Sequence, residues 1–382
     1  MVGQNKGLKM IFKVNAKDIK ENHSCFCSST NIRDISNVYV NDLNIFSTSY
    51  CDDCGLVFRS RHPNLDWLSN SWHKRLSTQI KENTVFINDD IEKNRFERYT
   101  QIGEIITENF GLGAVLDIGC GTGFGSLALK QKGFEVTGLE PDGTRADIAI
   151  DTHGLNVTKS TIEDYVSNSS EKFDFIIMSH SLEHMMEPRL ALEAVGALLK
   201  NTGKLYVEVP DLQNFVKDWN DALYMGHITN FNFNSLCTLA HICKLNPVLL
   251  IEASCERDDG PYLGVVFEKV SNTEGKPARL DQSLSYEKVA AQYTVNIEDF
   301  MGVFPVEINI PHVNDLSLLF KPTAEVKSSV NENTLNRRAV YNGSSGDVTV
   351  SMKISPIAPN AVKKRTKTCS VITKTKKLLN ND

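Results

Sequence analysis

The sequence predicts an α/β fold built on a seven-stranded, mainly parallel sheet, and three observations carry that prediction. From Ala114 to Val270 short apolar runs alternate with stretches of helical periodicity, the pattern of repeated strand–helix–strand units. The first of these runs leads into three alternating glycines, with a helical stretch straight after. The last two runs stand too close together for a helical crossover, so they form an antiparallel edge pair that brings the strand count to seven.

Taken in order, residues 1–20 are polar and carry no periodic signal. Residues 21–65 contain four cysteines, with β-like runs at 36–40 and 56–59 between turn residues. A helix is expected over 90–110, because Asp90 can cap it, Phe96, Ile102, Ile105 and Ile106 share a face, and Gly111 can end it. Next come a strand at Ala114–Ile118, a helix at Phe124–Gln131, a strand at Glu135–Leu139, a helix at 143–152 and a strand at 156–159. A strand at Phe173–Ser179, a helix at 189–199, a strand at 204–209, a helix at 234–244 and strands at 248–254 and 262–270 complete the region. Beyond it, 271–283 is a polar linker, 295–320 has some β character, and from Asn331 the chain is rich in Asn, Ser, Thr and Lys. The tail over 363–377 holds seven basic residues and no acidic one, and is expected to be mobile. The division that results is a cysteine module at 21–65, an α/β domain at 90–270 and a poorly defined, partly disordered extension at 271–382.

Composition narrows the function classes. With 382 residues, 41% hydrophobic and 23% charged, the chain is too apolar for general disorder and long enough to bury a core without disulfides. A net charge of −6 argues against a nucleic-acid binder that works through a strongly positive surface. No apolar stretch approaches the roughly 18 residues of a membrane-spanning helix, and the N-terminus lacks a signal-peptide pattern. The expectation is a cytoplasmic protein.

The segment Val115-Leu116-Asp117-Ile118-Gly119-Cys120-Gly121-Thr122-Gly123 is the first candidate site. Glycine admits backbone angles closed to other residues and lets a ligand approach without a Cβ, and the helix that follows offers free N–H groups. Phe124 replaces the third glycine of the dinucleotide pattern, and the Gly-Lys-Ser/Thr of a P-loop is absent. Glu140, which ends the next strand, can accept hydrogen bonds from ribose hydroxyls and would oppose a 2′-phosphate. A nucleoside-like ligand without a phosphate chain fits this set.

Cys51-Asp52-Asp53-Cys54-Gly55 is a C-x-x-C-G knuckle, and Cys25-Phe26-Cys27 is a tighter C-x-C. Four thiolates from two turns make a closed, structural zinc site. His23 stands near enough in sequence to substitute, and an empty site or a redox pair are the alternatives.

Together VLDIGCGTGFG, GLEPD at 138–142, FDFIIMSHSLEHMMEP at 173–188 and TGKLYVEVP at 202–210 resemble the class I S-adenosylmethionine-dependent methyltransferases. The resemblance implies a Rossmann-like methyltransferase sheet with S-adenosyl-L-methionine as cofactor. Asp117, Gly119, Gly121, Gly123 and Glu140 would bind it, with Thr161, Ile162 and Glu163 against the adenine and Ser179 and His180 beside the reacting methyl. The order of zinc knuckle and then methyltransferase, the run CDDCGLVF, and DALYMGHITNFNFNSL at 221–236 resemble the sugar C-methyltransferases and their polysaccharide-cluster relatives. That likeness makes His227 the base, with Tyr224 and His184 in the same pocket, although Met225 and Gly226 depart from the group's His-Glu. Histidine suits the task because its ordinary pKa of about 6.5 lies near working pH. The implied acceptor is a small molecule or glycan, in particular a sugar or sugar nucleotide. Ser-Leu-Glu-His-Met-Met-Glu-Pro also resembles quinone-type O-methyltransferases, and a non-catalytic module that keeps the fold for partner binding is the third reading.

Overall fold

The computed structural model describes residues 11–13, 16–40, 43–64, 89–213, 226–254, 261–271, 275–279, 285–287 and 289, and strands at 307–309, 326–331, 334–343, 346–354 and 374–377. The chain forms two compact units. One comprises residues 1–83, 217–227 and 284–368, and the other 84–216, 228–283 and 369–382.

In the first unit, strands β1 (Ile11–Lys13), β2 (Ile19–Glu21), β3 (Ile32–Val40), β4 (Leu43–Cys51) and β5 (Val57–Pro63) precede β14 (Glu307–Asn309), β15 (Val326–Asn331), β16 (Thr334–Gly343) and β17 (Gly346–Ile354). An antiparallel sheet runs β5-β4-β3-β17-β16-β15, with β2 against β5, while β1 and β14 form a separate parallel pair. The expected β run at 36–40 lies within β3, and that at 56–59 lies within β5 from Val57 onward. The extension contributes whole strands to the sheet of the cysteine module: β17 lies antiparallel to β3, with Val350 opposite Val40 and Ile354 opposite Ser36.

The second unit opens with α1 (Asp89–Phe110), which places Asp90 in the first turn rather than before it. Then follow β6 (Ala114–Ile118), α2 (Phe124–Gln131), β7 (Glu135–Leu139), α3 (Gly143–His153), β8 (Asn156–Thr158), α4 (Ile162–Asn168) and β9 (Phe173–Ser179). After these come α5 (Pro188–Leu198), β10 (Leu199–Pro210), β11 (Thr229–Asn230), α6 (Phe233–Ile242), β12 (Leu245–Ser254), β13 (Pro261–Lys269) and β18 (Lys374–Lys377).

The central sheet of this unit has the order β18-β12-β13-β10-β9-β6-β7-β8. From β8 to β10 neighbours are parallel; β13, β12 and β18 add antiparallel pairs. The fold is the expected Rossmann-like α/β arrangement, and the seven expected strands are all present. The eighth, β18, comes from the basic tail that the sequence left as mobile. Its backbone pairs along β12, from Leu249 opposite Lys377 to Glu252 opposite Lys374, and covers donors and acceptors that an edge strand leaves open. Among the described residues no helix is long and apolar enough to cross a membrane.

The core forms where the apolar stripe of α1 meets the sheet. Tyr99, Ile102 and Ile106 pack with Leu129 of α2, Val115 of β6 and Phe175 and Ile177 of β9, and Phe96 and Ile105 rest against the cluster. The strand order reverses between β6 and β9: the chain leaves β6 for β7 and β8 on one side and later builds β9 and β10 on the other. Open α/β sheets bind ligands at such a reversal, beyond the carboxyl ends of the strands.

Candidate cofactor site and cysteine cluster

Four segments leave the carboxyl ends of the strands at that reversal: the glycine loop after β6, Glu140 after β7, His180 after β9, and the end of β10 at Pro210. The loop is anchored on β7, because the amides of Gly119 and Cys120 both donate to the carbonyl of Leu139, at 2.7 and 3.2 Å. The glycines have different work. Gly123 sits at φ 87°, and a Cβ there would fall 2.7 Å from the side chains of Ala149 and Leu155, so this position serves packing against α3. A Cβ on Gly121 would meet only the Arg95 guanidinium, at 3.8 Å, which makes this the open side of the loop.

Glu140 is buried and braces the loop directly. One carboxylate oxygen accepts the Gly121 amide at 2.8 Å and the other the Asp142 amide at 2.9 Å. Asp142 in turn caps α3, accepting the amides of Thr144 and Arg145. Burial pushes the Glu140 carboxyl above its ordinary pKa, opposed by these amides and by Arg145. Each carboxylate oxygen retains a lone pair after accepting one amide, so ribose hydroxyls can still be taken.

Asp117 is fully enclosed. It accepts Ser126 Oγ at 2.6 Å and the Tyr99 hydroxyl at 3.1 Å, which ties β6 to α2 and α1. Burial lifts its pKa to about 6 against these hydrogen bonds. The structure therefore gives Asp117 a bracing position under the loop.

Helix α1 reaches the site with residues that apolar periodicity does not report. Glu92 accepts the Thr122 hydroxyl at 2.9 Å and pairs with Arg95 at 2.8 Å. Arg98 Nε lies 2.9 Å from the buried Glu208 on β10, which also accepts Ser179 Oγ and the Tyr206 hydroxyl, each at 2.8 Å. Burial alone would raise the Glu208 carboxyl, but the Arg98 guanidinium, His180 and the two hydroxyls outweigh it and hold the group below the usual range. The spacing of Glu92, Arg95 and Tyr99, one helical turn apart, was the signal available in the sequence.

After β9 the backbone turns sharply. His180 has φ 52°, a left-handed angle for a non-glycine residue, and its amide donates to the Glu208 carbonyl at 2.8 Å. Its ring stands edge-on to Tyr262, with centroids 4.6 Å apart, and its nitrogens lie 3.4 Å from Glu183 and 3.6 Å from Glu208. Thr161 caps α4 through the Asp164 amide, Ile162 is buried and Glu163 is exposed. His184 closes a single 3-10 turn at 182–184. His227 is buried, and Ile228, which follows it, donates its amide to the carbonyl of Glu183 at 2.8 Å. Tyr224 lies outside the described residues.

In the other unit the four cysteines converge. Cys25 and Cys54 sulfurs are 3.6 Å apart, Cys27 and Cys51 3.7 Å, and all four lie within 4.8 Å of one another. A tetrahedron of thiolates about 2.3 Å from a central zinc has edges of about 3.8 Å, so this donor set fits that ion. His23 is exposed and outside the cluster. The turns are built for it: Ser28 and Gly55 take left-handed angles, and their amides donate to the carbonyls of Cys25 and Cys51. Hydrogen bonding among the crowded thiols drives Cys25 up, through Cys27 first, and Cys51 down, through Cys25 first. Beside the knuckle, Arg33 pairs with Asp52 at 2.7 Å, and its guanidinium lies 3.9 Å from the ring centre of Tyr286. The Tyr286 hydroxyl donates to the Asp34 carbonyl at 2.9 Å.

Residues 91–246, from the first turn of α1 to the start of β12, match a family described as a methyltransferase domain. Ubiquinone biosynthesis O-methyltransferase of Actinobacillus pleuropneumoniae serotype 7 is 38% identical over 101 residues, 24% of this chain and 43% of that protein. The same enzyme of Cronobacter sakazakii is 30% identical over 110 residues, 28% and 44% of the two chains. The chain thus spans less than half the length of these curated relatives. Among solved structures, an S-adenosylmethionine-dependent methyltransferase of Thermotoga maritima, described as a possible histamine N-methyltransferase, aligns with 21% identity and TM-score 0.41 over 48% of this chain and 96% of its own. The 1,6-didemethyltoxoflavin-N1-methyltransferase of Burkholderia thailandensis aligns with 14% identity and TM-score 0.44 over 62% and 100%. Residues 91–246 are thus similar to a methyltransferase domain.

Proposed function

We propose that this chain transfers a methyl group from S-adenosylmethionine to a small-molecule acceptor. The observation that carries the reading is the bond from the Gly121 amide to Glu140, which unites the glycine loop and the ribose acid at the sheet's reversal point. When bound, the cofactor supplies a methyl group on a positively charged sulfur, open to in-line attack. Gly119, Gly121, Glu140 and the post-β9 turn at Ser179 and His180 hold it, and Thr161, Ile162 and Glu163 flank its adenine. Asp117 and Gly123 support from beneath and behind.

The protein's remaining task is to align the acceptor, exclude water and take up a proton. His227 is the proposed base, with His184 as a second base or acceptor ligand and Tyr224 as a further catalytic residue. The acceptor class with most support from this chain's own segments is a sugar or sugar nucleotide, on the strength of the cysteine module and the stretch at 221–236. A phenolic, quinone-type acceptor is the second reading, favoured by the segment shared with the ubiquinone O-methyltransferases. Cys25, Cys27, Cys51 and Cys54 hold a structural zinc ion.

Incubating the pure protein with methyl-labelled cofactor and a panel of nucleotide sugars, glycans and catechols tests both readings. Label transfer to a sugar supports the first, and transfer to a catechol alone replaces it with the second. With an acceptor in hand, His227→Asn and His184→Asn are expected to lower turnover while cofactor affinity stays near wild type. Full turnover in both variants removes the histidines from the mechanism.

A further inference from the structure

The end of β9 and the turn after it carry three polar side chains, Ser179, His180 and Ser181, and they are not equivalent. The Ser179 hydroxyl is consumed inside the protein, donating to Glu208 at 2.8 Å while Arg98 Nη2 donates to it at 3.3 Å. The His180 ring is turned towards Glu183, Glu208 and Tyr262. Ser181 differs from both. It is only 8% exposed, its hydroxyl has no hydrogen-bond partner among the described residues, and although it heads the 3-10 turn at 182–184 the side chain makes no cap. A buried hydroxyl without a partner is costly to the folded protein, so its presence calls for a ligand that completes it.

The place of Ser181 indicates which part of the ligand that is. A Cβ added to Gly119 would lie 3.0 Å from the Ser181 Cβ and 3.7 Å from its hydroxyl oxygen. Ser181 therefore stands against the first glycine of the loop, away from Glu140, whose carboxylate is bonded to Gly121 and Asp142. Glu208 and Arg98 set this arrangement by tying Ser179 down and receiving the His180 amide, so the next residue is the one whose hydroxyl is left over.

We propose that Ser181 is a cofactor-binding residue, whose hydroxyl hydrogen-bonds the amino-acid end of the S-adenosyl ligand at Gly119. This rests on the methyltransferase reading above. The group recognised is a free α-amino acid terminus: a serine hydroxyl can donate to its carboxylate or accept from its ammonium.

The test is calorimetric titration of the full chain and of Ser181→Ala with two probes, S-adenosylhomocysteine and 5′-methylthioadenosine, which lacks the amino-acid end. Ser181→Ala is expected to bind S-adenosylhomocysteine about five- to tenfold more weakly, the value of one hydrogen bond, and methylthioadenosine as wild type does. Its ligand-free melting temperature is expected to be equal to or above wild type, because the orphaned hydroxyl is gone. Unchanged affinity for S-adenosylhomocysteine, or an equal loss for both probes, overturns the assignment of Ser181 while leaving the methyltransferase reading intact. A wild-type chain that binds neither probe overturns the cofactor reading and Ser181 with it.

Discussion

Glu140 accepts the amide proton of Gly121 at 2.8 Å, so the glycine loop after β6 and the acid that ends β7 are one hydrogen-bonded piece. The same carboxylate holds the Asp142 amide, and through Asp142 the start of α3. Replacing Glu140 by Ala leaves two amides without their partner, which is expected to cost about 2–4 kcal/mol of stability. Affinity for S-adenosylhomocysteine in calorimetry should fall at least about tenfold, with Glu140→Gln intermediate. Wild-type affinity in Glu140→Ala would remove the acid from the site.

Asp117 gives a pH signature. Its folded pKa of about 6 lies above the ordinary 3.8, so the folded state holds this proton more tightly than the unfolded chain. The penalty is absent below the unfolded value, grows as pH rises, and is complete above about 6, amounting to about 3 kcal/mol. Asp117→Asn does not titrate. Urea unfolding at pH 4 and 7.5 should show the variant gaining on wild type by an amount of this order across the interval. A constant difference between the two proteins would mean that Asp117 titrates normally.

The cysteine cluster should bind one zinc ion per chain by elemental analysis, with Cys51→Ser losing it. Removing the metal with a strong chelator is expected to lower the melting temperature of this unit by at least about 10 °C, a loss of a few kcal/mol. Because Asp52 of the knuckle positions Arg33, and Arg33 lies against Tyr286, chelation should also expose the segment at 285–287 to protease. Resistance of that segment in the metal-free protein would show that the two are not coupled.

Gly123 is a packing position, and Gly123→Ala tests it. Its left-handed φ of 87° and a Cβ placed 2.7 Å from Ala149 and Leu155 should together destabilise the fold by about 2–4 kcal/mol in urea unfolding. Near-normal stability would mean that the start of α2 can shift.

The parts of the protein legible in the sequence are those where one physical cause dominates. Phe173–Ser179 is buried along nearly its whole length and so is almost uninterrupted in apolar character, and the glycine loop is marked by backbone angles that few residues share. Glu92, Arg95 and Arg98 are marked only by their helical spacing, because apolar periodicity reports one face of a helix and is silent about polar residues beside it. The seven-residue α4 is too short to show a period, though Thr161 and the acids Glu163 and Asp164 mark its start. Lys374–Lys377 contains no apolar residue, and its place as a strand depends on backbone pairing with β12. The sequence resemblance points to Ser179 and passes over Ser181, because only the position of Glu208 decides which hydroxyl is occupied.

The pairing of β17 with β3 has a consequence for how the chain is made. Val40 must wait for Val350, and the roughly 300 residues between them take on the order of tens of seconds to translate at 5–20 residues per second. Throughout that interval one edge of β3 is without its partner, while the residues of the α/β unit emerge from the ribosome. The cysteine turns at Cys25–Cys27 and Cys51–Cys54 are complete early, so a metal ion bound there would hold β3, β4 and β5 together until the last strands arrive. On this account the cluster's importance is greatest in the newborn chain.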